Sequence, residues 1–276
     1  MGFHAQLERS WSAAGSMLCV GLDPDPGRFP ASLGDGPEAI ERFCREIVDA
    51  TADIACAFKP QIAYFASQRA ETALERVCEY IRSEHPQVTL ILDAKRGDIG
   101  STADHYAREA FIRYGAHAVT VNPYLGTDSI TPFFDPKNNP DGGGAIMLCR
   151  TSNPGGDDFQ SLVSDDGSGA KPLYVHVAER AASEWSQLGD CALVVGATYP
   201  TELADVRSIV GDMPLLVPGV GAQGGDAGTV REHGAAASGR GLMVNSSRAI
   251  LYASDGDDFA DAARAEAQRT AAALSC

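Results

Sequence analysis

Short apolar runs alternate with amphipathic helical patterns about eight times along the chain. The strand candidates are Met17–Leu22, Ile54–Phe58, Val88–Leu92, Ala118–Val121, Ala145–Cys149, Ala192–Val195, Leu215–Val217 and Leu242–Val244. Apolar residues recur at helical spacing in Glu71–Ile81, Ala103–Tyr114, Tyr174–Leu188 and Thr201–Val210. Runs that are apolar throughout favour parallel strands covered on both faces, because an alternating pattern is expected when one face meets water.

Repeated βα units without a break in composition predict an α/β fold, a single (β/α)8 TIM barrel formed by residues 1–276. A doubly wound open sheet is the alternative that the pattern leaves open. The helical stretch Ala5–Ala14 precedes the first strand and is expected to cap the N-terminal mouth of the barrel. Two long segments without regular periodicity, Phe133–Gly144 and Ser152–Pro172, interrupt the repeat. The second follows strand five and is a candidate lid.

Composition excludes several functional classes. The chain has no apolar run of the about 20 residues that a membrane span needs, and no secretory leader, so a cytoplasmic location is expected. A net charge of −15 argues against nucleic acid as a partner. The seven cysteines contain no CxxC pair and are expected to be reduced core residues. No metal-ligand spacing and no cofactor fingerprint is present, so neither a metal nor a cofactor is expected.

Polar residues follow the strand candidates, where a parallel barrel gathers them in one mouth. These positions are Asp23, Lys59, Asp93, Lys95, Asp98, Asn122, Ser152, Pro218–Gly225 and Arg248. In extended backbone, residues two apart face the same side, so Asp93 and Lys95 are expected to share a pocket. An ordinary ion pair would explain these two alone. With Lys59 and Asp98 they form an alternating set of charges that would be costly to bury for stability alone, which indicates catalysis.

The run PGVGAQGG at 218–225 predicts a phosphate cradle. Glycines allow close approach of the backbone, and the following helix is expected to offer free N–H groups to an anion. Gln223 would add a side-chain donor. Arg248 follows the next strand and would supply a cation, which makes a phosphate site a better explanation than a tight loop alone.

Seven motifs in this order resemble the orotidine 5'-phosphate decarboxylase family, of the longer bacterial type. They are VGLDP at 20–24, FKP at 58–60, LDAKRGDIGST at 92–102, SNPG at 152–155, VVGAT at 194–198, PGVGAQGG at 218–225 and VNSSRAI at 244–250. The resemblance implies decarboxylation of orotidine 5'-phosphate to uridine 5'-phosphate in de novo pyrimidine biosynthesis, without a cofactor.

The resemblance also implies the roles of individual residues. Lys95 would protonate the ring carbon, Asp93 would stand against the departing carboxylate, and Lys59 and Asp98 would complete the charged array. Asp98 would be supplied across a homodimer interface, with Thr102 nearby. Asp23 and Lys59 would hold ribose hydroxyls, Ser152 the base, and Gln223 with Arg248 the phosphate. The substrate-binding residues implied in this way are Asp23, Lys59, Thr102, Asn122, Ser152, Gln223, Gly224 and Arg248.

Three other functions use a similar barrel. A magnesium-dependent sugar-phosphate aldolase or decarboxylase of the same superfamily would need an acid where Lys59 stands. A non-catalytic barrel that binds a phosphorylated ligand would not need Lys95 flanked by two acids. A Schiff-base aldolase would place its lysine in apolar surroundings, whereas both strand-end lysines here have acidic neighbours.

Overall fold

The computed structural model describes residues 1–167, 169–221 and 224–276. The strands in these ranges are β1 (Leu18–Leu22), β2 (Ala57–Pro60), β3 (Thr89–Arg96), β4 (Ala118–Val121), β5 (Gly144–Arg150), β6 (Val163–Asp165), β7 (Ala170–Pro172), β8 (Cys191–Val195), β9 (Leu215–Pro218) and β10 (Leu242–Ser246). All of these except β6 and β7 pair in parallel and close into a barrel, in the order β1-β2-β3-β4-β5-β8-β9-β10. The expected TIM barrel is confirmed, and a doubly wound open sheet is excluded because the first and last strands pair.

Helices follow the barrel strands and surround them. Within the described ranges they are α1 (Phe3–Ala14), α2 (Gly36–Thr51), α3 (Ile62–Ala66), α4 (Glu71–Glu84), α5 (Gly100–Arg108), α6 (Thr127–Ile130), α7 (Leu173–Ser183), α8 (Pro200–Val210), α9 (Ala227–Gly234), α10 (Arg248–Leu251) and α11 (Phe259–Ala272). Helix α2 shows why they form: Ile40, Phe43 and Ile47 repeat at helical spacing and are fully buried. Phe43 stacks on Phe259 of α11, which fixes the two helices side by side.

Helix α1 closes the N-terminal mouth of the barrel, as expected. The indole N–H of Trp11 donates a hydrogen bond of 2.8 Å to the carbonyl of Leu242, the first residue of β10. The ring of Phe3 lies against Gly144, where a Cβ would approach the ring to 2.2 Å. Strand β5 therefore needs a glycine at its start so that the cap can pack on it.

The predicted second strand, Ile54–Phe58, was misplaced along the chain. The amides of Ile54 and Ala55 bond to the carbonyl of Thr51, so these residues complete the turn after α2. Strand β2 instead runs to Pro60, which places Lys59 inside the strand. Strands β3 and β10 likewise continue past their apolar runs. The barrel ladder extends into polar sequence because its hydrogen bonds join backbone groups and do not depend on apolar side chains.

The segment after β5 is more regular than expected. It contains a 3₁₀ turn, Pro154–Asp158, and β6 and β7 pair as an antiparallel hairpin. The carboxylate of Asp165 accepts hydrogen bonds from the amides of Gly167 and Gly169, which stabilise the hairpin turn. The hairpin was missed because its strands are short and carry no alternating apolar pattern.

Within the described ranges, the cysteines carry free thiols. Cys19, Cys56, Cys149 and Cys191, which lie in or beside strands, are buried as expected. Burial raises the pKa of the Cys191 thiol to about 12, so this thiol stays protonated at neutral pH. No helix in the described residues combines the length and the apolar character that crossing a membrane requires.

Candidate active site

One buried carboxylate lies between two ammonium groups at the C-terminal mouth of the barrel. The Nζ of Lys59 donates to Oδ2 of Asp93 at 2.7 Å, and the Nζ of Lys95 donates to Oδ1 of Asp93 at 2.7 Å. Asp93 and Lys59 are 5% and 4% exposed, whereas the side chain of Lys95 is 46% exposed. The array thus presents one buried and one accessible cation to anything bound in the mouth.

The charges of this array support one another. Burial alone would raise the pKa of Asp93, but the charges of Lys59 and Lys95 and their hydrogen bonds outweigh it and hold that pKa well below its usual range. Burial alone would lower the pKa of Lys59, but the charges of Asp93 and Asp23 raise it above its usual value. Asp93 and Lys59 are therefore both ionised across the neutral pH range.

Asp93 and Lys95 do share a pocket, but the expected reason for it was wrong. The register between β3 and β4 shifts between Leu92 and Arg96, so the backbone is not regularly extended there. Lys95 has φ 46°, in the left-handed region, which costs about 1–3 kcal/mol for a residue other than glycine. This irregularity turns the Lys95 side chain toward Asp93, and the simple alternation of strand faces does not account for the contact.

Thr120 of β4 holds this irregular backbone in place, and the sequence pattern did not reveal its role. Its buried hydroxyl donates to Oδ1 of Asp93 at 2.8 Å. Oγ1 of Thr120 in turn accepts hydrogen bonds of 3.0 Å from the amides of Ala94 and Lys95. One donor and two acceptor positions are all that a hydroxyl has, so the group is fully used. A threonine inside the apolar strand AVTV was the available signal, because a buried hydroxyl needs partners.

Asp23 follows β1 on the side of the array where Lys59 lies. Its Oδ1 is buried and has no hydrogen-bond partner within residues 1–167, 169–221 and 224–276. Leaving a buried carboxylate oxygen without a donor is unfavourable, so a ligand hydroxyl would suit this position. Strand β1 pairs with β2 so that Gly21 lies opposite Lys59, and the charge of Asp23 helps to raise the pKa of Lys59.

Among the described residues, neither Asp98 nor Thr102 forms a hydrogen bond or ion pair with Lys59, Asp93 or Lys95. Asp98 accepts a hydrogen bond of 2.8 Å from the amide of Ile99, and it forms no ion pair with the described lysines or arginines. Thr102 lies exposed in the first turns of α5. The side chain of Ile99, between them in the chain, is also exposed, which leaves this apolar residue unpacked on the surface.

The described glycines of the loop after β9 have a left-handed backbone. Gly219, Gly221 and Gly224 have φ values of 103°, 77° and 88°, which other residues rarely adopt. A Cβ on Gly221 would lie 3.5 Å from the Cβ of Ala249, so the loop passes beside Arg248 at the start of α10. Arg248 is exposed and forms no ion pair with any described residue. Gln223, the expected side-chain donor, lies outside the described residues.

The first turn of the helix after this loop carries an acidic cap, which the sequence pattern did not predict. Asp226 caps α9: its carboxylate accepts hydrogen bonds from the amide of Thr229 at 2.7 Å and from its hydroxyl at 2.9 Å. A second anion at this terminus would meet the charge of Asp226. A phosphate bound here would therefore gain less from the end of α9 than from the loop amides and Arg248.

Ser152 and Asn122 follow neighbouring strands but lie in different surroundings. A Cβ on Gly196 would lie 2.8 Å from the amide nitrogen of Ser152, so the serine backbone passes close to the end of β8. Asn122 is exposed, and its Oδ1 accepts a hydrogen bond of 3.1 Å from the amide of Tyr124. Asn122 borders a cavity of about 690 Å³ between the loop after β4 and α7. The charged array does not line this cavity, but the amide of Asn122 donates a hydrogen bond of 2.7 Å to the carbonyl of Arg96, the residue after Lys95.

The role of Thr120 can be tested through stability. We expect Thr120→Val to lower the free energy of unfolding by about 1–3 kcal/mol, because it leaves the amides of Ala94 and Lys95 without an acceptor. Thr120→Ser keeps the hydroxyl and should retain most of that stability. Urea denaturation of the three proteins would measure it, and a valine variant as stable as the parent would contradict the role.

Comparison with known proteins agrees with this geometry. The orotidine 5'-phosphate decarboxylase of Bordetella petrii is 60% identical over 269 residues, which cover 96% of each chain. The solved structure of Leishmania donovani OMP decarboxylase has a TM-score of 0.82 and 35% identity, covering 99% of each chain. Leishmania donovani UMP synthase has a TM-score of 0.84 and 37% identity; the match covers 99% of this chain and 56% of that longer one. Residues 16–263 match the orotidine 5'-phosphate decarboxylase / HUMPS family, and the chain belongs to it.

Proposed function

We propose that this enzyme decarboxylates orotidine 5'-phosphate to uridine 5'-phosphate, a step of de novo pyrimidine biosynthesis, without a cofactor. The observation that carries the proposal is the Asp93 carboxylate fixed between the buried Lys59 and the accessible Lys95. The relatives named above as decarboxylases of this nucleotide support it.

Lys95 stabilises the transition state in this mechanism. When carbon dioxide leaves, the electron pair of the broken bond stays on a ring carbon that has little resonance stabilisation. An ammonium group already fixed at that carbon stabilises the charge as it develops and then donates its proton there. The hydrogen bond to Asp93 fixes the Lys95 ammonium before substrate arrives, so little reorganisation is needed during the reaction.

Besides fixing Lys95, Asp93 acts directly on the substrate carboxylate. Its carboxylate is ionised, and a substrate carboxylate about 4 Å away would be repelled by about 4 kcal/mol at an effective dielectric of 20. This repulsion disappears as neutral carbon dioxide forms, so it raises the ground state relative to the transition state. The phosphate and ribose contacts supply the binding energy that holds the substrate against it.

The remaining residues are assigned to binding. Asp23 and Lys59 hold ribose hydroxyls, which fits the buried Oδ1 of Asp23 that lacks a donor. Ser152 contacts the base, and Asn122 is assigned to the same bound substrate from its strand-end position. The loop amide of Gly224, the side chain of Gln223 and the guanidinium of Arg248 bind the phosphate.

The active site is shared in a homodimer. Asp98 makes no direct contact with the array of its own chain in the described residues, and the exposed Ile99 beside it suits a protein interface. We assign Asp98 and the neighbouring Thr102 to the partner's pocket.

The chain acts as one domain over residues 1–276. Buried free thiols suit the reducing cytoplasm, and a net charge of −15 gives nucleic acid no reason to bind.

The charged array also separates this proposal from its alternatives. A magnesium-dependent relative would need an acid at the end of β2, where the buried ammonium of Lys59 would repel a metal ion. In the described ranges no three His, Cys, Asp or Glu side chains are grouped to hold a metal. A non-catalytic barrel would have no use for the strained backbone at Lys95.

The reaction and the role of Lys95 can be tested together. We expect the parent protein to consume orotidine 5'-phosphate in an ultraviolet assay that contains a chelator. Lys95→Ala should lower kcat by many orders of magnitude, because it removes both the proton donor and the facing charge. Lys95→Arg should also fail, since a guanidinium is larger and gives up its proton poorly.

Two results would contradict this reading. A Lys95→Ala variant within about tenfold of the parent would exclude the proposed chemistry, because that loss is no larger than one ordinary contact. Activity lost on chelation and regained with magnesium would favour the sugar-phosphate relative.

The phosphate assignment makes a different prediction. Arg248→Ala should raise KM for orotidine 5'-phosphate strongly and barely change turnover of the phosphate-free nucleoside, which cannot use this contact. Arg269→Ala, at an exposed arginine of α11, serves as the control and should change neither substrate. Equal losses on both substrates at Arg248 would show that it has another role.

The shared site can be tested by mixing two inactive variants. We expect Lys59→Ala and Asp98→Ala each to be nearly inactive alone, with folding checked by circular dichroism. If they are unfolded and refolded together, random pairing makes half of the dimers mixed. In each mixed dimer one pocket inherits both changes and the other inherits neither.

The mixture should therefore recover about a quarter of the parental activity, as expected for a two-fold dimer with random pairing. If Asp98 served its own chain, every mixed pocket would carry one change. Mixed dimers detected by mass spectrometry without regained activity would exclude the shared site.

A further inference from the structure

Arg150, the last residue of β5, is a long cationic side chain that is only 1% exposed. Its Nη2 donates to Oδ1 of Asp157 at 2.5 Å, and its Nε donates to Oε2 of Glu202. The guanidinium carbon lies 3.9 Å from the ring centre of Tyr199, a cation–π contact. A buried guanidinium without partners would be strongly unfavourable, so Arg150 can occupy this position only because two carboxylates and an aromatic ring surround it.

The partners of Arg150 come from two different loops at the mouth of the barrel. Asp157 lies in the segment after β5, which begins with Thr151 and Ser152. Tyr199 and Glu202 lie after the next barrel strand, β8, at the start of α8. Arg150 therefore connects the segment that carries Ser152 to the neighbouring loop of the barrel.

The segment after β5 packs directly on the guanidinium. Oε1 of Gln160 accepts a hydrogen bond of 2.8 Å from the amide of Thr151 and a longer one of 3.4 Å from Nη1 of Arg150. A Cβ on Gly156 would lie 2.8 Å from the same Nη1, so the turn can approach this closely only with glycine. The segment from Thr151 to Gln160 thus contacts the Arg150 guanidinium through Gly156, Asp157 and Gln160.

The two carboxylates differ in how firmly they hold Arg150. The side chain of Glu202 is 25% exposed and belongs to the first turn of α8, which packs on the barrel. The side chain of Asp157 is 58% exposed and belongs to a short 3₁₀ turn. Glu202 and Tyr199 therefore fix the guanidinium, whereas Asp157 joins it from the more solvent-exposed side, where screening weakens an ion pair.

We propose that Arg150 is a positioning residue, which through Asp157 and Gln160 holds the segment 151–160 so that Ser152 faces the bound base. This inference rests on the proposed function, because the contact between Ser152 and the base of the substrate is part of that proposal. Arg150 itself touches none of the residues assigned to the charged array. Its effect on the reaction must therefore pass through Ser152.

A double-mutant cycle tests this dependence. The variants are Asp157→Asn, Ser152→Ala and the two combined, assayed for kcat/KM on orotidine 5'-phosphate. Asp157→Asn keeps the shape of the side chain but removes its charge, and we expect it to lower kcat/KM by about tenfold, as for one lost charged hydrogen bond. In the Ser152→Ala background the same change should cost less than about twofold, because the group that it positions is gone.

Matched variants exclude a general loss of structure. Asp53→Asn removes the carboxylate from the exposed Arg264–Asp53 ion pair, which is remote from the mouth, and should leave kcat/KM unchanged. Arg150→Lys keeps the charge but cannot reach both carboxylates and stack on Tyr199, so it should reproduce the loss and its dependence on Ser152. All assays are run well below the unfolding midpoint of the least stable variant.

The outcomes are separable. Equal fold losses from Asp157→Asn in both backgrounds, or no loss in the parent background, would overturn the positioning role. A parent protein without decarboxylase activity would overturn the proposed function before any variant is compared. An active parent with additive losses would overturn only the inference about Arg150.

Discussion

The site depends on one arrangement: the Asp93 carboxylate buried between the ammonium groups of Lys59 and Lys95. Neither Asp93 nor Lys59 could remain charged at this depth alone, and removing one partner of a buried pair typically costs about 3–5 kcal/mol. Each group therefore fixes the charge of the other. The left-handed backbone at Lys95 and the hydroxyl of Thr120 follow from the need to bring both cations to one carboxylate.

The two ends of the barrel differ in the side chains that they carry and in their contribution to stability. At the N-terminal end, α1 packs apolar side chains and an indole N–H on the strand starts, which adds stability without polar strain. At the C-terminal end, the strands continue into charged residues and one carboxylate oxygen of Asp23 lacks a described donor. The apolar interior and its cap stabilise the fold against two unfavourable features of the C-terminal mouth, the left-handed backbone at Lys95 and the unpaired oxygen of Asp23. Such features are expected where binding and chemistry require them.

Local charge, not net charge, determines what this mouth can bind. The chain carries a net charge of −15, so an anionic ligand approaches an unfavourable overall field. Salt screens exposed charges beyond about 10 Å at 0.1 M, so a bound anion responds mainly to charges that lie close to it, such as the accessible Lys95. The Asp226 cap places a further negative charge at the start of α9, next to the glycine loop.

The sequence by itself determined the barrel, its N-terminal cap and most of the charged array, because apolar periodicity and strand-end polarity are local properties of the chain. It placed Asp93, Lys59 and Lys95 in one mouth correctly. Only the tertiary structure decided the position of β2, the register shift beside Lys95 and the use of Thr120 as an acceptor. The tertiary structure also brings Glu202, 52 residues away in the chain, to Arg150. These features depend on contacts between residues distant in the chain, so a local pattern can at most indicate that a buried polar group such as Thr120 needs partners, without saying which.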